Sequence, residues 1–183
     1  LILAVASEFM SIREHMETKH KRKLPEFDVL YSDKEFAEPY KNVSGLCIRP
    51  RASKGPEYAN REINVIKYVE ARKMDLGIEG LDPTKYTIVL HTDAFVRDKY
   101  NQLFHKELKS RMGRGQPISQ DEYRKLAEEY SLRAEHKNYD TKWHEMGHLL
   151  ASGYNIPSDS RSEGIAIAYE LKGILLGAKE GRI

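Results

Sequence analysis

His144-Glu145-Met146-Gly147-His148 reads H-E-x-x-H, and what this stretch becomes decides the rest of the chain. Residues four apart lie on one face of an α-helix. A helix here therefore aims two imidazoles at one point, as a shared metal ion requires. Glu145 lies beside them, placed to take a proton from a water at the metal. The flanks agree with a helix. Asp140 and Thr141 are N-cap candidates, Gly153 is a C-cap candidate, and Met146, Leu149 and Leu150 supply an apolar side. The plain alternative is an ordinary amphipathic helix that holds no metal.

A catalytic zinc takes three protein ligands, so a third must lie elsewhere. The extension H-E-x-x-H-x-x-G-x-x-H is absent, because Ala151 and Tyr154 stand where its glycine and third histidine belong. The downstream carboxylates are Asp159, Glu163 and Glu170. Glu163 is the favoured ligand. It opens the segment 162–170, which reads as a second helix running to about residue 177, and the small residues Gly164 and Ala166 let that helix lie close to the first. Glu163 also has a bland reading, since Ser160-Arg161-Ser162-Glu163 spells a capping box. Glu170 lies about two turns further on. It is either a rival ligand or a group that orients an imidazole N–H.

These residues resemble the gluzincin metallopeptidases, in which H-E-x-x-H is followed by a glutamate on the next helix, written E-x-x-A or N-E-G-x-A. Glu163-Gly164-Ile165-Ala166 satisfies both spellings, except that Ser162 replaces the asparagine. The resemblance covers about residues 139 to 171, and the motif separation is short, as in compact bacterial lethal-factor-like zincins. It implies a helix-rich α+β zincin-like domain with a small mixed sheet and an H-E-x-x-H active-site helix. It implies a zinc-dependent endopeptidase acting on a protein or peptide. His144, His148 and Glu163 would be the ligands of Zn²⁺ and Glu145 the general base. In the lethal-factor-like group a tyrosine shortly before the glutamate ligand assists the reaction, a role that falls to Tyr154 here, though its spacing to Glu163 differs. In zincins an edge strand of the sheet also lines the cleft, and residues 86 to 92 are the segment expected to do so.

Composition bounds the remaining possibilities. A chain of 183 residues with 40% hydrophobic content suits one domain spanning residues 1–183, with 1–24 as a candidate N-terminal helical extension. A mean hydropathy of −0.65 indicates a very polar surface. A net charge of +2 is too near balance to imply nucleic acid. Cys47 is the lone cysteine, which excludes an intrachain disulfide and suits a soluble protein, cytoplasmic or secreted without disulfides. No stretch approaches the roughly 18 apolar residues of a membrane span. The apolar start at residues 1–6 lacks a basic region before it, and the chain is expected to be a fragment or processed product of a longer protein.

Along the chain, residues 7–20 read as a helix followed by the basic run Lys19-His20-Lys21-Arg22-Lys23, which is better read as a solvated helix end than as an anion-binding patch. Residues 27–31, 46–48 and 86–90 read as strands, the last being the strongest. His91 ends that strand, as a hydrogen-bonded structural residue rather than a group near the metal. Residues 51–57 read as a connector and 58–74 as a helix. A helix over 94–111 precedes a basic, glycine-containing break at 111–117, read as a mobile surface loop. Ser119-Gln120-Asp121-Glu122 is a capping box that starts a helix to about 136. Two other classes stay open beside the peptidase. One is a catalytically silent zincin-like structural or interaction module of a larger phage, mobile-element or toxin-type protein. The other is an interaction domain that uses its basic runs on nucleic acid or anionic partners, which the charge balance disfavours.

Overall fold

The structure is a computed structural model, and it describes residues 2–36, 40–50, 67, 70, 71, 82, 84–156 and 160–181. Within these residues the chain is helix-rich α+β. Helix α1 (Ile2–His20) leads into strands β1 (Phe27–Ser32), β2 (Gly45–Ile48) and β3 (Tyr86–His91). Helices α2 (Asp93–Gly113), α3 (Gln120–Gly153) and α4 (Ser160–Lys179) follow. The connector at 51–57 lies outside the described residues. So does most of the helix read at 58–74, of which Lys67, Glu70 and Ala71 are described and helical.

The three strands form one mixed sheet in the order β1-β3-β2, with β1 parallel and β2 antiparallel to β3. β3 is therefore central, not the edge expected to line a cleft. The reason is its composition: Thr87 through His91 are all buried, and only the middle position covers both faces and both edges of such a strand. Alternation along β3 builds two cores. Ile88 and Leu90 face the helices, joining Phe9, Ile12, Met16, Trp143, Met146, Leu149, Leu150 and Tyr169. Val89 faces the other way, onto Phe36, Tyr40 and Ile48. Phe9, Ile12 and Met16 of α1, with Leu24 after it, sit in the main core. Buried Lys142 is ion-paired with Glu8, a further tie between α1 and α3.

The helix starting at Ser119 and the motif helix are one element of 34 residues. Ser119 caps it as read: its hydroxyl accepts from the Glu122 N–H at 3.2 Å, and Glu122 accepts from the Ser119 N–H at 2.9 Å. Asp140 and Thr141 are interior residues of this helix, not its N-cap. Thr141 there donates its hydroxyl back to the Lys137 carbonyl at 2.6 Å, a bond that lets a threonine sit inside a helix. The C-terminus also differs from the reading. Gly153 is still helical, and Asn155 takes the left-handed conformation at φ 55°. The Ile156 N–H bonds the Ala151 carbonyl and the Asn155 N–H bonds the Ser152 carbonyl, each at 3.0 Å, which is a Schellman closure. α1 ends in the same way, with Lys21 at φ 51°. The basic break after α2 is a turn in which Gly115 supplies φ 68°. Beyond it Phe104 of α2 packs against Tyr123 and Tyr130 of α3.

Candidate metal centre

The centre is built where α4 crosses α3. A Cβ placed on Gly147 would stand 2.7 Å from the Ala166 Cα, so the helices meet backbone to backbone at the middle of the motif. Gly173 makes a second close approach, with the Trp143 ring where its Cβ would be, at 2.3 Å. Gly164, the other small residue expected at this contact, has open space around it; Gly147 and Gly173 take that role.

This approach brings the first turn of α4 over the histidines. Glu163 Oε1 lies 3.3 Å from His144 Nε2, and its Oε2 lies 3.2 Å from His148 Nε2. The three potential ligand atoms all fall within 4.8 Å of one another. Both oxygens of Glu163 are thus turned to the imidazoles, which is not where a helix-capping carboxylate points. The opposite nitrogens are engaged too. His144 Nδ1 donates to Glu170 Oε2 at 2.8 Å, and His148 Nδ1 is hydrogen-bonded to the Ser162 hydroxyl at 2.8 Å. Glu170 therefore stands behind an imidazole, in the orienting position, while Ser162 is a site residue that the sequence reading did not single out. Its only signal was its place in the motif, where it replaces the asparagine. Asp159 lies outside the described residues.

The donor set fits a small divalent cation. A carboxylate can only accept, so His144 carries its proton on Nδ1 and, when neutral, turns a lone pair toward another acceptor, Glu163. Burial and the neighbouring His144 hold the pKa of His148 down to about 4, leaving it the neutral imidazole that a metal ligand must be. Ligands bonded at roughly 2.0–2.1 Å in a tetrahedron stand about 3.3 Å apart. Glu163 reaches each imidazole at nearly that distance through a different oxygen, Oε1 at 3.3 Å from His144 and Oε2 at 3.2 Å from His148.

Glu145 is buried on the neighbouring side of α3, at 4% exposure. Gly45 of β2 abuts it: a Cβ at Gly45 would lie 3.0 Å from both Cγ and Oε1 of Glu145. Burial first, then the carboxylates of Glu163 and Glu170, push the Glu145 carboxyl up to about 8. A cation at the triad would oppose that shift. Among the described residues β2 is an outer strand of the sheet, and it is β2, not β3, that borders Glu145.

Two other candidates sit elsewhere. His91 is stacked between Phe36 and Phe95, with ring centroids 3.9 and 4.3 Å away, and is not among the triad; its buried Nε2 has no hydrogen-bond partner among the described residues, so ring stacking and not the expected hydrogen bond holds it. Tyr154 directs its hydroxyl to His20 Nδ1 at 3.0 Å, and the other ring nitrogen of His20 bonds the Tyr169 hydroxyl. Its ring lies under the Arg22 guanidinium, 4.1 Å from the centroid. Tyr154 is thus held by α1, a contact made by residues more than a hundred positions away. Among the described residues, no helix is long and apolar enough to cross a membrane. No protein-family model, no curated protein and no solved structure matches this chain.

Proposed function

We propose that this chain is a zinc-dependent peptidase with a gluzincin-type, zincin-like site in which His144, His148 and Glu163 hold the metal. One observation carries the reading: two imidazole nitrogens and the Glu163 carboxylate converge, one ligand atom from each lying within 4.8 Å of the others, with Glu170 and Ser162 holding the rings from behind. Zinc, held by these residues, would supply Lewis acidity, enough to bring a water's pKa from about 15.7 toward 7. Glu145 is the general base. It accepts the water proton and passes it to the leaving amine, and its enclosure by Gly45 keeps the carboxylate in one place. The His144–Glu170 pair would hold the imidazole with its Nε2 lone pair free to take a metal. β2 gives the substrate its bearing: among the described residues it is an outer strand, an extended peptide adds to such an edge through main-chain hydrogen bonds, and this strand borders Glu145.

The test is metal content and hydrolysis measured together. Protein purified without added metal carries one zinc per chain, and His148→Ala carries none. Glu145→Gln keeps the zinc and loses cleavage of a mixed peptide library. A wild-type rate in Glu145→Gln removes Glu145 from the mechanism. The engagement of Tyr154 with His20 favours a second reading, a silent zincin-like module whose metal ties α3 to α4. In that case zinc is bound and no peptide in the library is cut.

A further inference from the structure

A groove of about 440 Å³ opens between the end of α1, the end of α3 and the outer side of α4, and no member of the triad lines it. Its α4 wall, Ile165 and Ala168, lies roughly 140–200° around the helix from Glu163. Leu150 and Ile156 complete an apolar floor. Polar groups gather at one end. There the Lys19 and Lys172 ammoniums lie 5.8 and 5.7 Å from the centroid of the same ring, Tyr169. The neighbouring Lys19 side chain, then burial, lowers the Lys172 pKa. Among the described residues, neither ammonium is ion-paired with a carboxylate.

Two adjacent cations without a counter-ion repel, and an anion seated between them removes the repulsion. Nearby cations have other work. Arg22 donates to the Gly153 carbonyl at 3.0 Å and lies over Tyr154. Both nitrogens of His20 are bonded to tyrosine hydroxyls. Lys19, exposed in the last turn of α1, borders the groove.

We propose that this groove binds a single-chain aliphatic carboxylate, its head between the Lys19 and Lys172 ammoniums and its methylene chain along Leu150, Ile156, Ile165 and Ala168. The lining chooses the tail. A peptide chain would lay amide groups over apolar side chains that offer no hydrogen bonds, whereas a methylene chain asks for none. The concavity and the single point of cationic convergence suit one head group rather than a flat membrane surface. The site is separate from the triad and stands whether or not the triad holds zinc.

Titration calorimetry of the whole chain with sodium octanoate, decanoate and dodecanoate, each below its aggregation concentration, tests the proposal. Binding at one per chain is expected, tightening roughly threefold to fourfold per added methylene and weakening with salt. Dodecyltrimethylammonium, the same tail with the opposite charge, binds at least tenfold more weakly. Lys19→Glu and Lys172→Glu each weaken dodecanoate at least tenfold, and Ala168→Trp, which fills the groove from an exposed position, abolishes binding. Lys172→Gln separates the ligand role from a structural one: relief of the repulsion raises the unfolding midpoint while dodecanoate binding falls. Equal binding of the cationic amphiphile overturns the proposal, as does dodecanoate binding unchanged in the variants. So does tighter binding of acetyl-trileucine than of dodecanoate, which would mark a peptide site. Attachment to phosphatidylglycerol vesicles without binding of monomeric dodecanoate would mark a membrane surface and also overturn it.

Discussion

The backbone of Ala166 passes so close to Gly147 that a Cβ on the glycine would stand 2.7 Å from the Ala166 Cα. The obstacle is main chain, so no rotamer change relieves it. Gly147→Val must push α4 away from α3 and carry Glu163 off the two histidines. We expect a loss of about 1–3 kcal/mol in urea unfolding, as for other overpacked cores. Zinc affinity should fall at least tenfold. Unaltered zinc binding in a folded Gly147→Val protein would show that helix proximity does not position Glu163.

The carboxylates and the hydroxyl around the imidazoles should separate by rank. Glu163→Ala is expected to nearly abolish zinc binding. Glu170→Ala and Ser162→Ala, which remove groups behind the rings, should weaken it by roughly 10–100-fold. Competition titrations with a chelator of known affinity measure all three. Abolition by Glu170→Ala with binding intact in Glu163→Ala would reverse the two roles and put the alignment of this segment with the gluzincin pattern in the wrong register.

Gly45 offers a way to disturb the proposed base, Glu145, without touching the proposed ligands. Any side chain there meets Glu145 Cγ and Oε1 at 3.0 Å and Leu90 Cδ2 at 2.9 Å. Gly45→Val should displace the Glu145 carboxyl and cut peptide hydrolysis by at least tenfold while the zinc stoichiometry stays at wild type. Full hydrolytic activity in this variant would mean that β2 does not confine the base.

His91 makes the fold sensitive to acid. Burial, then the charge of Lys99, holds its pKa down to about 4 against an ordinary 6.5, with Glu35 opposing weakly. The unfolded chain therefore takes up the proton first, and stability is lost as pH falls from about 6.5 toward 4. The loss amounts to at most roughly 3 kcal/mol. His91→Phe preserves the stack between Phe36 and Phe95 and removes the titration. The difference in unfolding free energy between wild type and variant, followed from pH 7 to 4, should move in the variant's favour across that window. A difference that stays flat would place the imidazolium in a solvated site.

Local physics was legible in the sequence. The strand at 86–90 was marked by its β-branched run, the start of α3 by Ser119 and Glu122, and the shared face of His144 and His148 by helical spacing. Each of these depends on residues within a few positions of one another. Glu163 was nameable as a ligand for the same reason, since it opens the helix that must pack back onto the motif. What the sequence left open were choices among partners distant along the chain. Burial, not strand propensity, put β3 in the middle of the sheet and left β2 beside Glu145. Asp140 and Thr141 are good N-caps by residue type, yet packing on α1 and α2 carries one helix straight through them. Ser162 and Glu170 acquired their places behind the imidazoles only when Gly147 and Ala166 brought two helices into contact. Tyr154 was drawn to His20, more than a hundred residues upstream, because a hydrogen bond goes to whichever partner the fold brings near. The motif thus determined that two imidazoles share a face, while the crossing of α3 and α4 decided what they face.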